Sequence, residues 1–83
     1  MTRLGLGCLQ VLYDENIDTI LDARTINELL RTTYLYKSFD YQKLYRTLND
    51  LYDEGYVDKG AKSGKAMTYY LTKSGKALIR EFC

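Results

Sequence analysis

A chain of 83 residues, 46% apolar and 28% charged, has the composition of one small globular domain and excludes a disordered or membrane-spanning class. Its net charge is only +1, and it contains no histidine, so the usual proton shuttle and the usual zinc ligand sets are both missing. The charge is unevenly spread: residues 1–58 hold six basic and ten acidic side chains, residues 59–83 six basic and one acidic, which hints at an anionic partner.

No run of about 18 apolar residues is present, so nothing in the sequence spans a bilayer. The opening Met1-Thr2-Arg3-Leu4-Gly5-Leu6-Gly7-Cys8 is short and broken by glycine, unlike a secretory leader, and cytoplasmic residence is the expectation. Cys8 and Cys83 lie near opposite ends without a CxxC spacing, and two free thiols are expected rather than a metal site.

Leu4, Cys8, Leu9, Val11 and Leu12 recur at helical spacing and predict a first helix over residues 3–15, weakened by Gly5 and Gly7. Thr19-Ile20-Leu21, bounded by Asp18 and Asp22, reads as a brief strand. Thr25 and Glu28 have the spacing of a capping box, which starts a second helix near Ile26 and ends it by Lys37-Ser38. Asp40 suits the cap of a third helix, with Phe39 before it as an apolar anchor. Tyr41, Leu44, Tyr45, Leu48, Leu51 and Tyr52 then follow in three- and four-residue steps, and Gly55 supplies a stop. Two strand-like runs, residues 56–59 and 67–71, flank a glycine- and lysine-bearing hairpin loop. Thr72 caps a last helix through Leu78, Ile79 and Phe82.

This order is the plan of a winged helix-turn-helix: an α+β domain, mainly helical, with a three-helix core, a hairpin wing and a C-terminal helix. Leu44-Tyr45-Arg46-Thr47-Leu48-Asn49-Asp50-Leu51-Tyr52-Asp53-Glu54-Gly55-Tyr56-Val57 resembles the recognition helix and following strand of the PadR and MarR repressor families. Tyr69-Tyr70-Leu71-Thr72-Lys73-Ser74-Gly75 resembles the end of their wing, and Leu-Tyr-x-x-Leu at Leu44, Tyr45 and Leu48 brings the chain closer to PadR. The likeness covers about residues 25–80. Between Glu28 and Asp40 the chain is about four residues longer than the tight MarR-type turn, so the second helix runs on or a loop bulges there. The resemblance implies a transcriptional regulator of repressor type that binds double-stranded DNA.

The residues add their own argument. Off its apolar stripe the third helix, about residues 40–54, presents Gln42, Lys43 and Arg46 early and Asp50, Asp53 and Glu54 late. Acids at a helix C-terminus oppose the macrodipole, whereas a helix entering a groove N-terminus first would carry them away from DNA. Gln pairs with adenine and Arg with guanine through two hydrogen bonds each. In the wing, about residues 56–72, Lys59, Lys62, Ser63 and Lys65 would meet phosphates. Tyr41 and Tyr45 have two readings, packing into the core or reaching phosphate with their hydroxyls.

No nucleophile stands beside a base, and the Gly60-x-x-x-Gly64 spacing lacks a Walker-type continuation, so a binding protein is expected, with no catalytic residue, cofactor or metal. One winged domain offers limited contact area, so a homodimer is expected, through Leu4, Cys8 and Val11 of the first helix and Leu78, Ile79 and Phe82 of the last. The competing class is a protein–protein adaptor that keeps the fold without the nucleic-acid face, as the low net charge would suit. A weaker alternative is stacking of single strands on the many tyrosines.

Overall fold

The computed structural model describes residues 2–82. Helix α1 (Arg3–Asp14) is capped by Thr2, whose hydroxyl accepts the Gly5 N–H at 3.0 Å, and it buries Cys8, Leu9 and Leu12. The expected strand at 19–21 is instead a 3-10 turn, Ile20–Asp22. Thr19 decides this locally, because its hydroxyl accepts the Asp22 N–H and donates to the Asp22 carboxylate. Such side-chain bonding outcompetes β-branched propensity, and Ile20 and Leu21 point outward at 58% and 91% exposure. The strand falls three residues later, at β1 (Arg24–Thr25).

Helix α2 (Ile26–Thr32) begins with the expected capping box: Thr25 accepts the Glu28 N–H, and the Glu28 carboxylate accepts the Thr25 N–H. Its last residue is Thr32, with Thr33 as its C-cap, inside the bound set by Lys37-Ser38. The Thr33 hydroxyl donates to the Leu29 carbonyl and accepts the Leu35 N–H, which starts a separate 3-10 turn, Tyr34–Lys37. The added length between the second and third helices is therefore a tucked turn whose Leu35 is buried.

Helix α3 (Tyr41–Asp53) is capped by the Asp40 carboxylate on the Lys43 N–H and buries Leu44, Leu48 and Leu51. It ends in a Schellman arrangement, with the Gly55 N–H on the Tyr52 carbonyl and the Tyr56 N–H on the Leu51 carbonyl. Gly55 takes φ +87° there, a region that a side chain disfavours.

Strands β2 (Val57–Lys59) and β3 (Thr68–Leu71) form an antiparallel hairpin, and β1 pairs with the far edge of β3 to give the order β1-β3-β2. The hairpin tip closes where Ser63 and Ala66 exchange backbone hydrogen bonds around Gly64-Lys65. Gly64 at φ +64° occupies the first central position of that two-residue turn, as type II′ geometry requires. Helix α4 (Lys73–Phe82) starts from Thr72, whose hydroxyl accepts the Gly75 N–H. The same hydroxyl donates to the Gly55 carbonyl at 2.6 Å, and the Thr72 N–H donates to the Tyr56 carbonyl.

One apolar cluster joins every layer: Cys8, Leu9 and Leu12 of α1, Leu29 of α2, Leu44 and Leu48 of α3, Leu71 of β3 and Ile79 of α4. The fold is α+β and winged-helix-like, with four helices and a three-stranded antiparallel sheet. No helix among the described residues is long and apolar enough to cross a membrane. Cys8 is a free, fully buried thiol, pushed up to about 12 by desolvation; Cys83 lies outside the described residues.

The surface expected to form a dimer is largely spent within the monomer. Cys8 and Ile79 are 0% and 1% exposed, and Leu4, Val11 and Leu78 pack against the same core. Of the six residues, Phe82 alone is left well exposed. The cause is that α1 and α4 pack on each other, which consumes the apolar faces meant for a second copy.

Candidate nucleic-acid interface

With 3.6 residues per turn, the buried leucines of α3 fix where every other side chain points. Gln42, Arg46, Asn49 and Asp53 run along the side opposite Leu44, Leu48 and Leu51, and Gln42 and Arg46 are exposed. Lys43 is exposed too but lies roughly 160° round the helix from Tyr45, beside Asp50. The three residues expected to act together thus divide: Gln42 and Arg46 share a line, and Lys43 flanks it. Asn49, half-buried and not among the residues expected to face DNA, joins that line by helical spacing. Its amide has the same adenine-pairing chemistry as Gln42.

Tyr41, Tyr45 and Tyr52 form the adjoining edge, on the side of α3 that faces the hairpin, each between 40% and 45% exposed. They lie on the shoulder of the stripe, exposed and outside the packed core cluster, and Tyr41 and Tyr45 line the space between α3 and the hairpin. Tyr52 lies under Lys59, whose ammonium sits 4.4 Å from the ring centroid. Lys59 is accordingly half-buried and held against α3. Lys62, Ser63 and Lys65 stand exposed around the hairpin tip.

Tip and helix meet in a cleft of about 180 Å³ lined by Tyr41 and Tyr45 of α3, Lys65 and Met67 of the hairpin, Asn27 of α2 and Tyr69 of β3. Asn27 and Tyr69 were not expected here. Tyr69 belongs to a strand buried on both faces, so its sequence context reads only as core. Burial first, and then the nearby phenols of Tyr45 and Tyr41, raise the Tyr69 hydroxyl above its ordinary value of 10.0 and keep it protonated.

The opposite flank of α3 is acidic. Asp50, Asp53 and Glu54 line a second cleft, of about 450 Å³, together with Thr2 and Gly5. These last two belong to the N-terminal end of α1, a position at which carboxylates are favoured. Among the described residues the one ion pair joins Lys76 to Asp18 at 2.7 Å. Lys43, Arg46, Lys62 and Lys65 are left without a carboxylate partner. No group of three or more potential metal ligands occurs among the described residues.

No family model matches this chain, and no curated protein does. A solved structure does. The crystal structure of a protein of Ralstonia eutropha JMP134, provisionally named as DNA-binding, superposes with a TM-score of 0.74 over 99% of this chain and 96% of that one. The two are 18% identical in sequence, so the likeness is one of fold. The match runs the whole length of both chains, from the helical core through the sheet to the last helix.

Proposed function

We propose that this protein binds double-stranded DNA and acts as a sequence-specific transcriptional regulator of the PadR/MarR type, with α3 in the major groove and the hairpin on the backbone. The observation that carries this reading is the line of exposed Gln42 and Arg46 and half-buried Asn49 on the outer side of α3, next to the tyrosine edge that meets the lysine-tipped hairpin in one cleft. This reading is supported by the way a winged helix spans a groove and its neighbouring phosphates with its third helix and hairpin. The fold neighbour's name agrees with DNA as the partner. Arg46 offers a paired contact to guanine, and Gln42 and Asn49 offer the same to adenine. Lys43, Lys62 and Lys65 supply sequence-independent phosphate contacts, while Lys59 acts mainly by bracing the hairpin against Tyr52. In this reading the protein is a regulator and not an enzyme, working as one domain in the cytoplasm. It reaches useful affinity as a homodimer whose contact includes Phe82 rather than the buried cysteine and isoleucine.

The test is selection of bound sequences from random duplex DNA, followed by a salt titration of the selected site. Three phosphate-contacting lysines per chain predict a slope of log K against log salt of roughly −3 per subunit. A flat dependence, or no duplex affinity at all, would overturn the proposal and leave the protein–protein adaptor as the reading of the fold.

A further inference from the structure

The cleft between α3 and the hairpin has a chemical bias. None of its lining residues is acidic, and three phenols, one ammonium and one carboxamide converge on it. The Thr25 hydroxyl at its edge accepts the Glu28 N–H. Tyr69 is the unusual member. It is only 2% exposed, yet among the described residues no group hydrogen-bonds its hydroxyl. Among the described residues no side-chain polar atom is both sealed from solvent and unpartnered, so this hydroxyl keeps its small exposure on the cleft that Tyr69 lines. A buried donor left without an acceptor loses desolvation energy for nothing unless something outside the chain supplies one.

The volume narrows what that acceptor can be. About 180 Å³ is several times the roughly 30 Å³ share of one water molecule, but below the roughly 300–1,000 Å³ that encloses a small organic ligand. An anionic group projecting from a larger body fits, along with a bridging water or two. Phenol, ammonium and carboxamide N–H groups all donate, and a phosphate oxygen accepts from each.

We propose that this cleft seats one phosphodiester of the DNA backbone, held by the Tyr69, Tyr41 and Tyr45 hydroxyls with Lys65 and Asn27. The inference rests on the DNA-binding reading and deepens it. The seat lies between the helix that reads bases and the hairpin tip, so a phosphate bound there fixes the register of α3 along the duplex. The contact to Tyr69 is uncharged on the protein side, and it contributes position and affinity without counterion release.

Binding of a selected duplex by wild type, Tyr69→Phe, Tyr45→Phe, Lys65→Ala and Tyr36→Phe tests it, with Tm recorded for each. The expected result is a loss of roughly tenfold or more for Tyr69→Phe, at an unchanged salt slope and a Tm equal to wild type or higher. Tyr45→Phe, on an exposed position, shows the same signature if Tyr69→Phe disturbs the sheet. Lys65→Ala lowers the slope by about 1 instead. Tyr36→Phe, on the distant 3-10 turn, binds as wild type does. Wild-type affinity in both cleft phenylalanine variants overturns the seat while leaving the DNA-binding reading intact. Absence of duplex binding by wild type overturns that reading and the seat with it. If inorganic phosphate then still perturbs the Tyr69 ring resonances, the cleft belongs to a free anion.

Discussion

At the scale of single residues, two kinds of position carry separable consequences. Arg46 is exposed, partnerless and on the outer line of α3, so Arg46→Ala removes a base contact and leaves the fold intact. The expected outcome is a loss of about 1–3 kcal/mol of discrimination at one guanine, read by competition between selected and mutated duplexes, with Tm unchanged. Gly75 is the converse case. A Cβ at this position would run into the Tyr56 carbonyl and to within 2.7 Å of Leu71 Cδ1. Gly75→Ala therefore costs about 1–3 kcal/mol in a denaturant melt, because backbone and a fully buried leucine must both shift. The glycine in the Leu-Thr-x-x-Gly run is thus explained by packing of α4 on the turn after α3, with no reference to DNA.

At the scale of elements, the capping chemistry is what the sequence displayed most openly. The Thr25–Glu28 box, the Asp40 cap, the Gly55 stop and the Thr72 cap all occur where their side chains predict them. Thr25→Ala is expected to lower stability by about 1 kcal/mol, measured by chemical denaturation, since it frees the Glu28 N–H and half of the box. The elements that misled are those whose outcome depends on side-chain hydroxyls competing with the backbone. Thr19 and Thr33 each turn a strand- or helix-like run into a 3-10 turn, and propensity is silent on such competition. The candidate site was legible in the same uneven way. Gln42, Arg46 and Lys65 are recognisable from chemistry and helical spacing alone. Tyr69 and Asn27 reach the cleft only because β3 pairs between β1 and β2 while α2 abuts it, which is tertiary information. That the acidic end of α3 shares a cleft with the start of α1, some fifty residues away in sequence, is tertiary information of the same kind.

At the scale of the whole molecule, stability has an acid-sensitive component with an identifiable source. The Lys76 ammonium, hydrogen-bonded to Asp18, holds that carboxyl below its ordinary value of 3.8. The Thr25 N–H, bonded to Glu28, does the same to a carboxyl of ordinary value 4.5. Below those ordinary values the unfolded chain takes up protons that the folded chain still refuses, so acid favours unfolding. Tm is expected to hold steady from about pH 7 to about pH 5 and to fall as the pH drops through both ordinary values and below. Asp18→Asn should flatten part of that fall, because Asp18 ties the end of α1 to α4 through a contact that spans 58 positions of sequence.

The Thr72 contacts to Gly55 and Tyr56 have a consequence for how such a molecule can change over evolutionary time. They clamp both feet of the hairpin to the end of α3, so whatever is done to the tip is not transmitted to the helical body. Doubling the two-residue turn at Gly64-Lys65 adds closure entropy of only about 0.6 kcal/mol. The hairpin is in effect an adjustable arm on a fixed shoulder: its reach and its lysines can be retuned while α3 keeps its place in the core.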